Sequence, residues 1–176
     1  EVDVTFNATL NDPDTLGNLV EINLYKDSVL IDTILPTDPY TFTSLLSNTT
    51  YEIEVVYSYD ALDGLGTVTE TETTPFTTDA YTAQTIDINL TDVDYAEATF
   101  NLINTDPNSR NTSLTIELLL DGVVVETFVG AGPYNPTGLF SNTTYEIKVS
   151  YTYTLNDGFD PYEMIETLEF TTDAYV

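Results

Sequence analysis

The sequence contains no cysteine, no histidine and no tryptophan, and only three basic residues, Lys26, Arg110 and Lys148. Each absence removes a class of function. Without Cys there is no disulfide framework, and without Cys or His there is no zinc centre of the usual ligand set. Without His, the Ser–His and Cys–His nucleophile pairs and the commonest general acid–base are excluded. Against three basic residues stand 30 Asp plus Glu, for a formal net charge of -27. A chain so poor in positive charge repels phosphates, which excludes DNA, RNA and anionic membrane surfaces as electrostatic partners. No apolar run approaches the roughly 20 residues of a bilayer span, so direct membrane insertion is not expected, and no basic-then-apolar stretch has the form of a signal peptide.

What is present is apolar and aromatic enough to fold. Hydrophobic residues make up 41% of the chain, with 13 Tyr and 8 Phe, which separates it from acidic disordered segments. Shifting the sequence by 94 residues lays residues 1–82 over 95–176 without a gap, and about 34 of the 82 pairs are identical. The chain is therefore two copies of one unit, with boundaries placed at 1–82 and 83–176. Copy one lacks the opening stretch that copy two has. This reads as a cut made inside a repeat array.

Period-two alternation dominates and marks β-strands. In copy two Ile86, Ile88 and Leu90 alternate with Asp87, Asn89 and Thr91. This is the first strand, the one copy one lacks, and its loss leaves the Val2–Leu10 strand as an edge open to a neighbouring chain. Further strands are expected at Val20–Leu24, Val29–Ile34 and Thr50–Tyr59, and at their counterparts Leu114–Leu120, Val123–Val129 and Thr144–Tyr153. Asn11-Asp12-Pro13-Asp14, Lys26-Asp27-Ser28, Asp63-Gly64, Asp121-Gly122 and Asp157-Gly158 are turn signals: Pro fixes φ, and Asp, Asn and Gly tolerate left-handed backbone. Seven short strands per copy, separated by turns, predict an all-β chain of two tandem seven-strand antiparallel β-sandwiches, with strand A missing from the first.

The segments Leu45-Leu46-Ser47-Asn48-Thr49-Thr50-Tyr51 and Leu139-Phe140-Ser141-Asn142-Thr143-Thr144-Tyr145 each place Leu six positions before a Tyr that starts a strand. This resembles the tyrosine corner of fibronectin type III domains, and the closing Phe76-Thr77-Thr78 and Phe170-Thr171-Thr172 are similar to the end of that family's last strand. The resemblance implies a Greek-key sandwich. It also implies that Tyr51 and Tyr145 bury their rings while their hydroxyls bond to backbone a few residues upstream, with Leu45 and Leu139 as partners in the corner. The chain departs from the family where a Trp is usual and Phe6 or Phe100 stands instead, which leaves an immunoglobulin-like label open beside the fibronectin one.

With 30 carboxylates in 176 residues, acids close in sequence are no sign of glycosidase or aspartic chemistry, which needs an enclosure that drives two pKa values apart. Calcium is the cofactor to consider, because hard cations take clustered oxygen ligands. Asp79 at the exit of copy one and Asp92, Asp94 and Glu97 at the entry of copy two are the candidate ligands, with Asp60, Asp63, Asp157 and Asp160 as loop alternatives. The bland reading is turn residues on a solvated acidic surface. Strand acids Glu52, Glu54, Glu70 and Glu72 are expected to keep the sheets soluble. Phe159 and Tyr162, which replace Leu65 and Val68, are the candidate ligand contacts of copy two.

The function expected is a non-enzymatic spacer, a stalk or adhesin region of a repetitive extracellular protein of a bacterial cell surface, or of a phage virion. Its partners would be neighbouring repeats of the same chain. The alternatives are an adhesive module for a glycan or host protein, and an accessory domain of a carbohydrate-active enzyme.

Overall fold

The computed structural model describes residues 2–12, 16–35, 39–62 and 66–176. The turn signals Pro13-Asp14 and Asp63-Gly64, the exchanged position Leu65 and the stretch Pro36-Thr37-Asp38 lie outside the described residues. Every regular element described is a β-strand. The chain divides into two compact units, Glu1–Tyr81 with Asn156–Gly158, and Thr82–Leu155 with Phe159–Val176.

In unit one the strands are β1 (Val2–Phe6), β2 (Gly17–Lys26), β3 (Val29–Ile34), β4 (Tyr40–Leu45), β5 (Thr50–Asp60) and β6 (Thr67–Thr77). They form an antiparallel sheet in the order β3-β2-β5-β6 and a two-stranded sheet β1-β4. Alternate side chains of each sheet point at the other, as period two requires. The core is Ile22 and Leu24 from β2, Tyr40, Phe42 and Leu45 from β4, and Tyr51 and Ile53 from β5. The hairpin β2–β3 turns through Asp27 and Ser28, with φ of 50° and 64°, the paired left-handed conformation that matches strand twist in a two-residue loop.

In unit two the strands are β7 (Thr85–Val93), β8 (Ala98–Thr105), β9 (Asn111–Leu120), β10 (Val123–Phe128), β11 (Thr144–Tyr153) and β12 (Tyr162–Thr171). The larger sheet, β10-β9-β11-β12, repeats the order of unit one, and β7-β8 forms the second sheet. The segment after β10 joins β8 only by isolated bridges, Phe100 to Tyr134 and Glu97 to Thr137. The 94-residue offset explains why β4 has no full counterpart there. Pro136 stands in place of Phe42 and has no N–H to give a ladder. Left-handed backbone recurs at the matched pair Ser44 and Gly138, with φ of 61° and 72°.

Strands β3 and β10 are outer strands of the larger sheets, and the smaller sheets opposite are narrower. Their Val29-Leu30-Ile31 and Val123-Val124-Val125 runs consequently stay exposed on both faces.

Unit one has six described strands, and none of them corresponds to β7. On one side β1 pairs with β4, and among the described residues nothing pairs with its other side.

Candidate functional site

Two tyrosine corners are built alike. Tyr51 Oη accepts a hydrogen bond from the Leu46 backbone N–H at 2.9 Å, and Tyr145 Oη accepts one from Phe140 N–H at 2.9 Å. Both rings are buried and stacked on the Phe of the closing strand, Tyr51 on Phe76 and Tyr145 on Phe170. The next residues complete the lock. Buried Thr78 donates its hydroxyl to Leu46 O at 2.6 Å and accepts from Thr49 N–H at 3.0 Å. Thr172 does the same with Phe140 O at 2.6 Å and Thr143 N–H at 3.0 Å. Leu45 is buried in the core of unit one, while Leu139 is partly buried against the core of unit two. These bonds satisfy backbone groups that a loop would otherwise bury unpaired, and the side chains that supply them, Tyr51 and Thr78 or Tyr145 and Thr172, are identical between copies.

The units differ where β7 lies. In unit two the alternation of β11 is complete: Tyr145, Ile147, Val149, Tyr151 and Tyr153 are all buried. Ile86 of β7 is in that core, and Ile88, Leu90 and Val93 pack against it. In unit one the matched strand β5 begins the same way, with Tyr51 and Ile53 buried, but Val55, Tyr57 and Tyr59 are only half-buried. Above Val55 and Tyr57 lies a groove of about 600 Å³ whose walls also include Phe6, Ala8, Leu10 and Leu19. Leu19 faces it because the register of β2 on β5 shifts between Leu19 and Glu21, which sets Leu19 opposite Tyr57. Strand β1 ends at Phe6, whereas β8, held by β7 along its length, runs to Thr105, the position matched by Asn11.

Glu70 and Glu72 sit on this same inner face, opposite Tyr57 and Val55 in the β5–β6 ladder. Both are exposed all the same. Glu72 lines the groove. Glu70 accepts hydrogen bonds from Tyr57 Oη at 2.8 Å and Tyr59 Oη at 3.1 Å. These bonds, and the carboxylate charge, push both phenols above their usual range. Glu54, in contrast, is tied on the other face, accepting from Asn23 Nδ2 at 3.0 Å and Tyr25 Oη at 3.2 Å.

Among the described residues no three carboxylates come together in a way that could hold a metal ion. Asp79 is exposed, and its carbonyl accepts from Asn48 N–H at 3.2 Å. Asp92, Asp94 and Glu97 are exposed as well; Asp94 N–H donates to Glu97 O at 2.9 Å, and its carboxylate accepts from Tyr95 N–H at 2.6 Å. The two Asp94 bonds are local to one turn, and the Asn48–Asp79 bond joins segments 31 residues apart. Phe159 is 80% exposed. Tyr162 spends its ring on packing, stacked on Tyr153 with centroids 5.5 Å apart. Sequence reasoning missed the groove itself, although the missing first strand was its signal: removing an apolar-alternating strand necessarily bares the face it covered.

Two opposed antiparallel sheets, this strand order and a hydroxyl-to-backbone corner in each unit settle the fold. It is fibronectin type III-like. No family model and no curated protein matches the chain. Among solved structures, the chain is similar to one described as "Central Fibronectin-III array of RIM-binding protein", at 15% identity and a TM-score of 0.32, over 97% of this chain and 67% of that one. It is also similar to one described as "Structures of Clostridium thermocellum CbhA fibronectin(III)-like modules", at 17% identity and a TM-score of 0.32, over 98% of this chain and 85% of that one. The fibronectin type III-like assignment rests on the corners and the strand order.

Proposed function

We propose that the chain is a non-catalytic spacer, two sandwich modules of a repetitive extracellular surface protein that serves as a stalk or adhesin region. The observation that carries this reading is the duplicated lock of Tyr51 and Thr78 with Tyr145 and Thr172. What the two copies share most closely, Ser47–Ile53 and Ser141–Ile147, is scaffold, whereas the loop from Asp60 to Val68 differs almost throughout from its counterpart at 154–162. Two further features support an exposed, load-bearing setting. Three basic residues in 176 leave few sites for trypsin-like proteases, and a charge of -27 keeps neighbouring copies apart by mutual repulsion.

Small-angle scattering on the chain and on an end-to-end fusion of two chains tests the reading. A spacer lengthens with each added chain; a fusion whose longest dimension stays that of the single chain contradicts it. A second reading, adhesion to a glycan or protein, has Phe159 in its favour, a large exposed apolar ring where the sequence of copy one has Leu65. Glycan-array binding that Phe159→Ala removes would establish that reading over the spacer.

A further inference from the structure

We propose that the cavity of unit two between β8 and the segment Gly130–Tyr134 is a binding site for a neutral saccharide. It opens where two stretches of chain part. Phe100 and Tyr134 exchange both backbone hydrogen bonds, at 3.0 and 2.9 Å. Beyond them, no described residue pairs with that side of β8. On an antiparallel edge the bonding groups recur at every second residue. Leu102 therefore turns its N–H and C=O to the side that Phe100 uses, toward the gap. The gap holds about 470 Å³, within the roughly 300–1,000 Å³ of small-ligand sites.

The walls fix the ligand class. Ile86, Leu102, Leu114 and the Tyr134 ring are apolar, and Asn101 and Asn104 add amides. Gln84, 2% exposed, donates Nε2 to Asn104 Oδ1 at 2.9 Å. That bond commits the Asn104 oxygen and leaves its N–H donors without a partner among the described residues. Asn101 makes no side-chain hydrogen bond there either, and it lies close against Gly132, where a Cβ would come to 3.2 Å from its Oδ1. An amide that donates and accepts side by side suits a pair of neighbouring hydroxyls, and an apolar wall suits the C–H face of a sugar ring. No Asp, Glu, Lys or Arg lines the cavity. A charged ligand finds no counter-ion there, and an anion is repelled by the net charge of -27. A peptide strand is poorly served, because Leu102 and Asn104 are the only bonding positions of β8 beyond the bridge.

Copy one does not repeat the set. Its sequence has Leu10 at the place of Asn104, and Pro36-Thr37-Asp38 at the place of Gly130-Ala131-Gly132. The inference is independent of the spacer reading and makes no use of Phe159.

The test titrates the intact chain with cellobiose, lactose, diacetylchitobiose and methyl mannoside, followed by two-dimensional amide NMR. Glucuronate and trialanine are the charged and peptide controls. Saturable shifts centred on Asn101–Asn104 and Gly130–Tyr134 are expected from at least one neutral sugar, and none from glucuronate. Asn101→Ala, which removes no side-chain hydrogen bond of the fold, should weaken that binding about ten-fold, the worth of one hydrogen bond. Ala131→Trp, at an exposed position of the wall, should abolish it while the rest of the spectrum stays that of the parent chain. The proposal is overturned if none of these sugars shifts these residues, if both variants bind as the parent chain does, or if glucuronate binds equally well. Shifts at the same residues from trialanine and not from the sugars would assign the cavity to peptide backbone instead.

Discussion

Tyr57 donates its hydroxyl to Glu70 across the β5–β6 ladder at 2.8 Å. The matched pair in unit two is Tyr151 and Met164, where the tyrosine is 2% exposed and lies under β7. The same phenol thus has two fates. Covered by a strand it is core, and without that strand it turns to a carboxylate at the rim of a groove. The difference in one strand accounts for the graded exposure along β5, the early end of β1 and the groove between them.

The alkaline limb of stability follows from these phenols. Hydrogen bonds to Glu70 raise Tyr57 and Tyr59, and burial followed by the Glu54 bond raises Tyr25. A raised phenol favours folding in its neutral form. That contribution is whole below the unfolded value near 10 and is lost as pH climbs through the raised folded values. Absorbance at 295 nm should show a group of tyrosines ionising later than free tyrosine. Glu70→Met, which installs the residue of copy two, should move Tyr57 and Tyr59 back down; an unchanged titration would remove Glu70 as the cause.

Breaking either corner should weaken its own unit. Tyr51→Phe and Tyr145→Phe keep the ring and leave the Leu46 or Phe140 N–H without its acceptor, at a cost of about 1–3 kcal/mol each. Urea denaturation followed by circular dichroism measures it. Stability equal to the parent chain in both variants would mean that water replaces the hydroxyl at no cost.

These corners were legible in the sequence, because a Leu, a Tyr six residues on and the alternation after it leave little freedom. So was the missing first strand of copy one. The incomplete fifth strand of unit two was harder to see, because Tyr134 and Leu139 preserve the pattern of Tyr40 and Leu45 while Pro136 silently removes a donor. The exposure of Val29-Leu30-Ile31 was not legible either. Apolar alternation assumes a sheet opposite, and sheet width is a tertiary property. The inner-face position of Glu70 and Glu72 was not legible, because at the margin of an uncovered sandwich the inner face is wet as well and admits charge.

Self-repulsion among 30 carboxylates should make the melting temperature rise with sodium chloride up to a few hundred millimolar, where the Debye length falls to several ångströms. Calcium at matched ionic strength separates screening from coordination. An increment beyond sodium that is lost in the combined Asp79, Asp92, Asp94 and Glu97 alanine variant would mark a bound ion, and equal increments would leave screening alone.

The most direct measurement is segment-resolved hydrogen exchange on the unmodified chain. Residues 101–105, laddered to β7, should exchange slowly, and the matched residues 7–11 should exchange near the rate of unstructured chain, with residues 55–59 less protected than 149–153. Equal protection of 7–11 and 101–105 would contradict the account, because it would require a strand over unit one that the structure does not contain among its described residues.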